Sequence, residues 1–323
     1  MSPPHEALRA RLAVDGFAVV TLEDRAFERM LQPWLLVDGL LGLGPQLTEV
    51  QPIRPIAQGR SFAASSGPAP LHTDSQLWRG RPAELQLTCC LRPAERDGES
   101  VLVDGFALAD RLAAACPADL ARLLDEPRCL PFVFGHAFGP TLARRGDRHV
   151  FTHPARPHPG DRVAPIVARA LAEVPQRIVR LEGGQALLVD NHRMLHGRRA
   201  FDDPHRELLR VLAWLEAPLS PRPAWADTAD RVHAELAARL GDAPLEVRHA
   251  FGLEPAAMAA IDAAVTAMLS GAPPGALARR LGIDEAALYR HRDRLATTGR
   301  PDLAQGGDPL PACLEVLARL RPA

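Results

Sequence analysis

The stretch LHTDSQLW, residues 71–78, places a histidine and an aspartate two positions apart in an otherwise apolar and neutral run. In a β-strand, residues i and i+2 lie on the same face, so His72 and Asp74 would point to one place while Thr73 faces away. Such a pair offers two ligands to one metal ion. Alone, it favours the simpler interpretation of a turn histidine beside a capping aspartate, so the metal hypothesis needs a third ligand.

The third ligand candidate lies in LLVDNHRMLHGRRAF, residues 187–201. His196 follows an apolar run and precedes a glycine and two arginines, a polar ending that is unusual for a core strand. Two histidines and one carboxylate form the facial triad of non-haem Fe(II) oxygenases and leave three metal positions open. Zinc hydrolysis uses similar ligands and is the competing chemistry, although it generally needs a separate base.

The first two thirds of the chain are rich in short apolar or alternating segments bounded by Gly, Pro and Asp. These segments are LTEVQPI, LQLTCCLR, SVLVDGF, RIVRL, QALLVDNHRML and ELLRVLAWL. Two helices are predicted between them, FALADRLAAACPADLARLLD and RVAPIVARALAEVP. Many short strands with long irregular connections are typical of a barrel or jelly roll. The predicted fold is mainly β with α, a jelly-roll core with flanking helices.

The composition of the sequence changes after the Pro-rich segment near 218–224, and Ala- and Leu-rich segments with helical spacing follow. We therefore predict a jelly-roll domain at residues 1–218 and a helical extension at 219–323. Within the extension, residues 275–295 read as helix, Leu-Gly turn and helix. The extension could cover the barrel, dock a partner or form a homo-oligomer interface.

Composition excludes several classes of function. All 38 basic residues are arginine and 39 residues are acidic. The chain therefore has no large net charge that would attract nucleic acid or a membrane surface. The five cysteines are scattered without a CxxC pair, and the adjacent Cys89 and Cys90 are predicted to be small buried apolar residues. With no apolar signal core and no run of about 18 apolar residues, a reduced cytoplasmic location is expected.

The sequence resembles a known family in four motifs. These motifs are LHTDSQLW, GESVLVDGF, DNHRMLHGRRAF and the arginine in HRELLR, in that order between residues 50 and 217. Together they look like the Fe(II)- and 2-oxoglutarate-dependent dioxygenases of the taurine dioxygenase type, nearest the γ-butyrobetaine hydroxylase branch. Any one motif alone is weak evidence, whereas four in the expected order are specific.

The resemblance implies that His72, Asp74 and His196 bind Fe(II). It also implies that Ser100 contacts the cosubstrate 2-oxoglutarate and that Arg206 pairs with its distal carboxylate, for which a planar guanidinium is well suited. Arg210 matches the arginine that meets the anionic group of taurine in taurine dioxygenase. On a strand, positions 206 and 210 would share a face, so both arginines could enter one cavity.

The reaction implied is oxidation of an unactivated C–H bond by O2, with release of succinate and CO2. Hydroxylation, desaturation and cyclisation all remain open. Tyr289 is the only tyrosine, so the aromatic cage that would hold a quaternary ammonium is not expected. A small carboxylate-bearing substrate, derived from an amino acid, is favoured instead.

Other polar residues near these motifs have two interpretations each. The candidates for substrate contact are Gln76, Trp78 and Asn191. For the other residues we favour the simpler interpretation. It is a solvated or structurally paired arginine for Arg198 and Arg199, a loop histidine for His192, and a histidine facing water for His153 and His158.

The helix-turn-helix-like hairpin at 275–295 supports an alternative function, a DNA-binding or iron- and oxygen-responsive regulator. Gly282 suits the turn, and the cationic residues of the second helix could meet phosphates. These residues are Arg290, His291, Arg292 and Arg294. The acidic residues in the same hairpin and the balanced net charge argue against DNA binding.

Overall fold

A computed structural model describes residues 4–22, 32–45, 47–56, 59, 61–74, 82–126, 128–132, 135–241, 264, 267, 272–281 and 285. The described strands are β1 Phe17–Thr21, β2 Leu47–Ile53, β3 Ala69–His72, β4 Leu85–Arg92, β5 Ser100–Asp104, β6 Arg128–Phe132, β7 Gly135–Gly139, β8 Leu142–Arg145, β9 Arg148–Phe151, β10 Arg177–Val179, β11 Gln185–Asp190, β12 Met194–Arg198 and β13 Glu207–Trp214. The described helices are α1 Pro4–Asp15, α2 Pro33–Leu41, α3 Gly105–Ala115, α4 Pro117–Asp125, α5 Ala164–Leu171, α6 Ala226–Arg239 and α7 Pro274–Leu281.

The chain forms two compact units that interleave in sequence. The first comprises residues 1–74, 83–115 and 167–224, and the second comprises 75–82, 116–166 and 225–323. Because residues 116–166 belong to the second unit, the units do not follow the chain as two consecutive blocks. The two-domain division at 218/219 stays a prediction.

The first unit is built on two antiparallel sheets. The larger sheet has the order β1-β11-β4-β13-β2, and the smaller has the order β10-β5-β12-β3. Buried side chains from both sheets form one apolar cluster, so this cluster fills the space between them. Its members are Cys90, Leu102, Leu181, Leu187, Val189, Met194 and Leu208. This arrangement of two facing antiparallel sheets confirms the predicted jelly roll with flanking helices.

The outer face of the larger sheet packs against α1 and α2. Leu12 from α1 and Leu36 from α2 join a second apolar cluster with Leu87 and Val211 of the sheet. Strand alternation explains the division, because neighbouring positions on β4 and β13 face opposite clusters. The strand β4 thus sends Cys89 outward and Cys90 inward, and both thiols are buried as predicted.

The long helix predicted around residues 106–125 is interrupted at Cys116. Pro117 lacks a backbone N–H and cannot continue α3, but it fits the first turn of α4. Asp104 caps the N-terminus of α3, because its Oδ1 accepts hydrogen bonds from the backbone N–H groups of Phe106 and Ala107, both at 3.0 Å.

Two hairpins, β6–β7 and β8–β9, lie in the second unit together with α4, α6 and α7. A buried ion pair ties this unit internally, with the Arg128 guanidinium 2.7 Å from an Asp161 oxygen and 2.6 Å from the Thr141 hydroxyl. The prediction that His153 faces water is wrong, because its side chain is buried. The backbone N–H of Thr152 donates to the Thr141 carbonyl and holds the start of this Pro-rich loop against the hairpin.

Part of the predicted helix-turn-helix lies within α7. Its turn glycine and its cationic residues, Gly282, Arg290, His291, Arg292 and Arg294, lie outside the described residues. In the part of the chain that the structure describes, no helix combines the length and apolar character needed to cross a membrane.

Candidate metal centre

The three predicted metal ligands converge where two strands of the smaller sheet pair. His72 is the last residue of β3, and His196 is the third residue of β12. The two histidines occupy paired positions in this antiparallel ladder. Asp74 follows two residues after His72, beyond the end of β3, and its carboxylate still reaches both imidazoles. His72 and Asp74 therefore lie together, although β3 ends at His72.

The ligand atoms are close enough to share one ion. Nε2 of His72 lies 3.6 Å from Oδ1 of Asp74, and Nε2 of His196 lies 3.5 Å from Oδ2. The ligand atoms all lie within 4.8 Å of one another, the one such cluster found among the described residues. Adjacent ligands about 2.1 Å from a first-row metal would be about 3 Å apart, so only small side-chain shifts are required.

Both imidazoles turn Nε2 toward the Asp74 carboxylate, the side on which a metal would bind. The Nδ1 of His72 lies 2.8 Å from the Pro70 carbonyl oxygen, so Nδ1 carries a hydrogen, and in the neutral imidazole Nε2 is the nitrogen with the free lone pair. A backbone carbonyl that fixes the tautomer in this way is typical of metal-bound histidines. In His196, Nδ1 is buried without a partner among the described residues, while Nε2 faces Asp74.

Charge in the site favours the deprotonated ligands that a metal needs. Burial alone would raise the pKa of Asp74, but the Arg210 guanidinium and the two histidines hold it well below its ordinary value. Burial and the neighbouring His72 lower the pKa of His196 below 6.5. At neutral pH the carboxylate is therefore ionised and the His196 imidazole is neutral.

Gly197 allows β3 and β12 to approach closely beside the ligands. A Cβ at this position would lie 2.7 Å from the Ala69 carbonyl oxygen and 3.2 Å from the Leu71 nitrogen, both backbone atoms of β3. Only glycine fits such a close backbone approach without displacing the neighbouring strand. Because β3 ends at His72, this displacement would reach a metal ligand.

We predict that Gly197→Ala lowers the free energy of unfolding by about 1–3 kcal/mol, the usual range for overpacking. Chemical denaturation would measure the loss. Gly44→Ala is the matched control, because a Cβ at Gly44 meets no atom within 4 Å and this variant should unfold like the wild-type chain. Equal stability of the two variants would contradict the close approach.

A row of polar side chains crosses the inner face of the larger sheet. Gln51 on β2, Arg210 on β13 and Thr88 on β4 are paired neighbours in the ladders. The Arg210 guanidinium donates to the Asp74 carboxylate and to the Gln51 amide oxygen. Gln86, two residues before Thr88, is also buried, and its amide oxygen has no partner in the described part of the chain. Polar positions within this face thus extend the site beyond the three ligands.

Gln51, Thr88 and Gln86 were not predicted as site residues. The sequence signal that could have identified them was their position in the alternation of each strand. Gln51 and Thr88 are polar at strand positions whose neighbours two residues away, Ile53 and Cys90, face the apolar interior. Without the register between strands, the partner across the sheet could not be assigned.

Arg206 and Arg210 have different surroundings. Arg206 precedes β13, and a bulge between Glu207 and Leu208 interrupts the pairing with β4. Positions 206 and 210 are therefore not on one regular strand, which the prediction of a shared face required. Arg210 contacts Asp74, whereas Arg206 lines a small cleft that also includes Ser100 and Cys90.

The guanidinium of Arg206 is buried against polar and aromatic groups. It donates to the Gly98 carbonyl at 3.2 Å and lies 4.7 Å from the centre of the Phe201 ring. Among the described residues no carboxylate pairs with it. Burial lowers the pKa of Arg206 below its ordinary value. A buried cation without an acidic partner, beside a hydroxyl residue, is the arrangement expected at an anion site.

The other residues predicted near the site divide between structural and exposed positions. Arg198 is structurally paired, because its guanidinium donates to the carbonyls of Phe62, Ser65 and Gly67. Arg199 is exposed, whereas His192 lies buried in the turn between β11 and β12.

The three candidates for substrate contact are not shown to line the site. Asn191 is fully buried and hydrogen bonds to backbone groups, a different role from the predicted contact with substrate. Gln76 and Trp78 lie outside the described residues.

Comparison with known families agrees with this site. The family described as taurine catabolism dioxygenase TauD, TfdA family, matches residues 5–178 and 169–212, which is more than half of the chain. The chain belongs to this family. The predicted family and the predicted enzyme class, a dioxygenase, are thereby confirmed. The finer assignment to the γ-butyrobetaine hydroxylase branch stays a prediction.

Solved structures similar to the chain include two oxygenases with bound iron and the protein PvcB. Asparagine oxygenase in complex with Fe(II), hydroxyasparagine and succinate is 18% identical, with a TM-score of 0.51 over 65% of this chain and 77% of that chain. The non-haem iron oxygenase OrfP, with Fe and alpha-ketoglutaric acid, is 20% identical, with a TM-score of 0.48 over 65% and 79%. PvcB from Pseudomonas aeruginosa is 16% identical, with a TM-score of 0.47 over 66% and 80%. No curated protein sequence matches the chain.

Proposed function

We propose that this protein is an Fe(II)- and 2-oxoglutarate-dependent dioxygenase that oxidises a C–H bond of a small carboxylate-bearing substrate. The observation that carries the proposal is the convergence of His72, Asp74 and His196, whose ligand atoms lie within 4.8 Å of one another. Two histidines and one carboxylate suit Fe(II) and leave open positions for a bidentate cosubstrate and O2. When bound, the iron with 2-oxoglutarate and O2 supplies the oxidant, and succinate and CO2 are released.

The residues around the ligands divide the remaining tasks. Ser100 and Arg206 bind the distal carboxylate of 2-oxoglutarate, an assignment supported by the cleft that they share. The planar fork of Arg206 can donate two parallel hydrogen bonds to a carboxylate. Burial of the guanidinium strengthens such a pair, because solvent screens it less.

Arg210 holds an acidic group of the substrate beside the metal. Its guanidinium contacts the Asp74 carboxylate, and Gln51 holds it from the adjacent strand. An anionic substrate group that binds Arg210 is therefore placed next to the ligand set. Orientation at this point selects which C–H bond is oxidised, while the surrounding apolar cluster limits access of water.

The substrate is an amino acid or a compound derived from one. Arg210 beside the metal ligands suits a carboxylate, and the neighbouring Gln51 and Gln86 offer amide groups to further polar atoms of such a molecule. Asparagine oxygenase, the similar structure with bound hydroxyasparagine, makes free amino acids the first compounds to screen.

A succinate-release screen tests the proposal. The full chain is incubated with Fe(II), 2-oxoglutarate and O2, together with single amino acids and their derivatives, and succinate is measured. We expect succinate release to rise with at least one carboxylate-bearing compound and to be lost in His72→Ala. Release that is the same in the wild-type chain and in His72→Ala would contradict the proposed centre.

A further inference from the structure

Asn191 lies in the turn between β11 and β12, and its side chain is fully buried. It is also the only asparagine among the 323 residues. The amide oxygen accepts a hydrogen bond from the backbone N–H of Asp74 at 2.8 Å. The amide nitrogen donates to the carbonyls of Asp74 and Ala83, both at 3.0 Å. Both amide hydrogens are therefore used on backbone carbonyls.

These hydrogen bonds replace the strand pairing that Asp74 lacks. The strand β3 ends at His72, so no strand pairing fixes the backbone of the carboxylate ligand. The Asn191 amide instead binds the N–H and the C=O of the same residue, much as a neighbouring strand would. Fixing both peptide groups of Asp74 restricts its φ and ψ angles and therefore the direction of its side chain.

The turn that carries Asn191 is itself rigidly held. The backbone N–H of His192 donates to an Asp190 carboxylate oxygen at 3.0 Å, and that of Asn191 donates to the Glu84 carbonyl at 2.9 Å. Arg193 pairs with Asp104 on β5 through two of its nitrogens. The Asn191 amide is thus preorganised before any ligand binds.

We infer that Asn191 is a positioning residue that sets the Asp74 carboxylate relative to His72 and His196 and thereby determines metal affinity. One short connection then serves two of the three ligands, because β12 carries His196 and the turn before it holds Asp74. The inference rests on the proposed function, since it assumes that these three side chains bind a metal. Asn191 does not touch the metal in this account but acts through Asp74.

Anaerobic titration with Co(II), which reports its coordination through visible absorption bands, tests the inference without turnover. Outer partners of metal ligands typically change affinity by about 10- to 100-fold, and we expect that loss in Asn191→Ala together with altered Co(II) bands. Asn191→Asp keeps an acceptor for the Asp74 N–H but turns the donor into a second acceptor facing two carbonyls. We expect an equal or larger loss there.

Thr141→Val is the control for general destabilisation, because it removes a buried hydrogen bond from Arg128 among residues 116–166. It should bind Co(II) like the wild-type chain. Wild-type affinity and spectrum in Asn191→Ala would overturn the inference and leave the proposed function intact. A comparable loss in both variants would also overturn it. Absence of Co(II) binding by the wild-type chain would instead overturn the proposed function. If Asn191→Ala does not fold, Asn191→Asp is judged by the same outcomes.

Discussion

Replacement of His196 by alanine is expected to weaken Fe(II) binding by at least about 100-fold. Outer partners of metal ligands already cost up to about that much, and His196 is proposed to bind the ion directly. The remaining pair, His72 and Asp74, would leave the metal with two protein ligands and no fixed geometry. Anaerobic calorimetric titration with Fe(II) would measure the loss, and succinate formation should disappear in parallel.

His205→Ala is the matched control for this variant. His205 is exposed and lies in the connection just before β13, so this substitution removes a histidine side chain that does not reach the proposed site. It should bind Fe(II) as the wild-type chain does. If His196→Ala retained its affinity within about twofold, the histidine would not be a metal ligand and the facial triad would have to be abandoned.

Loss of Arg206 is expected to raise the KM for 2-oxoglutarate by about 30-fold or more. Removing one partner of a buried, hydrogen-bonded charge pair costs about 2–5 kcal/mol, and 2 kcal/mol corresponds to about 30-fold. Steady-state kinetics of Arg206→Ala against 2-oxoglutarate would measure it. Arg206→Lys keeps the charge but loses the planar fork, so we expect an intermediate KM. Arg199→Ala removes an exposed arginine and should leave this KM unchanged.

The corresponding variant of Arg210 separates the two arginines. Arg210→Ala should raise the KM for the amino-acid-derived substrate more than that for 2-oxoglutarate. The opposite pattern, with the 2-oxoglutarate KM raised in Arg210→Ala and unchanged in Arg206→Ala, would contradict the assignment and make Arg210 the cosubstrate anchor.

Much of the sandwich was predictable because its strands are locally encoded. LTEVQPI and LQLTCCLR coincide with β2 and β4, since each is an apolar or alternating run bounded by turn residues. The segment QALLVDNHRML was less well resolved, because its central polar residues form a turn between β11 and β12. The polar character of Asp190 to Arg193 was visible, but the turn depends on contacts with Glu84 and Asp104.

The metal ligands were predictable for a different reason. His72 and Asp74 are two residues apart, and the spacing alone places them together wherever the chain is extended. His196 was a candidate because of its polar surroundings, and the resemblance to a family joined it to the pair, because no local rule relates residues more than 120 positions apart. The structure pairs His196 with His72 across β12 and β3.

What could not be predicted depends on distant backbone groups. The sequence around Gly197 gives no sign of a close approach, yet the carbonyl of Ala69 leaves no room for a larger residue. Asn191 reads as a polar residue available to a substrate, yet its hydrogen bonds run to Asp74 and Ala83, more than 100 positions away in the chain. Such roles follow from the register between strands, which composition and periodicity do not specify.

The most direct test of the central claim is the anaerobic absorption spectrum of the full chain with Fe(II) and 2-oxoglutarate. Chelation of the iron by the cosubstrate should give a weak visible charge-transfer band that saturates at one Fe(II) per chain. The same band should be absent in His72→Ala. A wild-type spectrum without this band, or a band that persists unchanged in His72→Ala, would contradict an iron centre built from His72, Asp74 and His196.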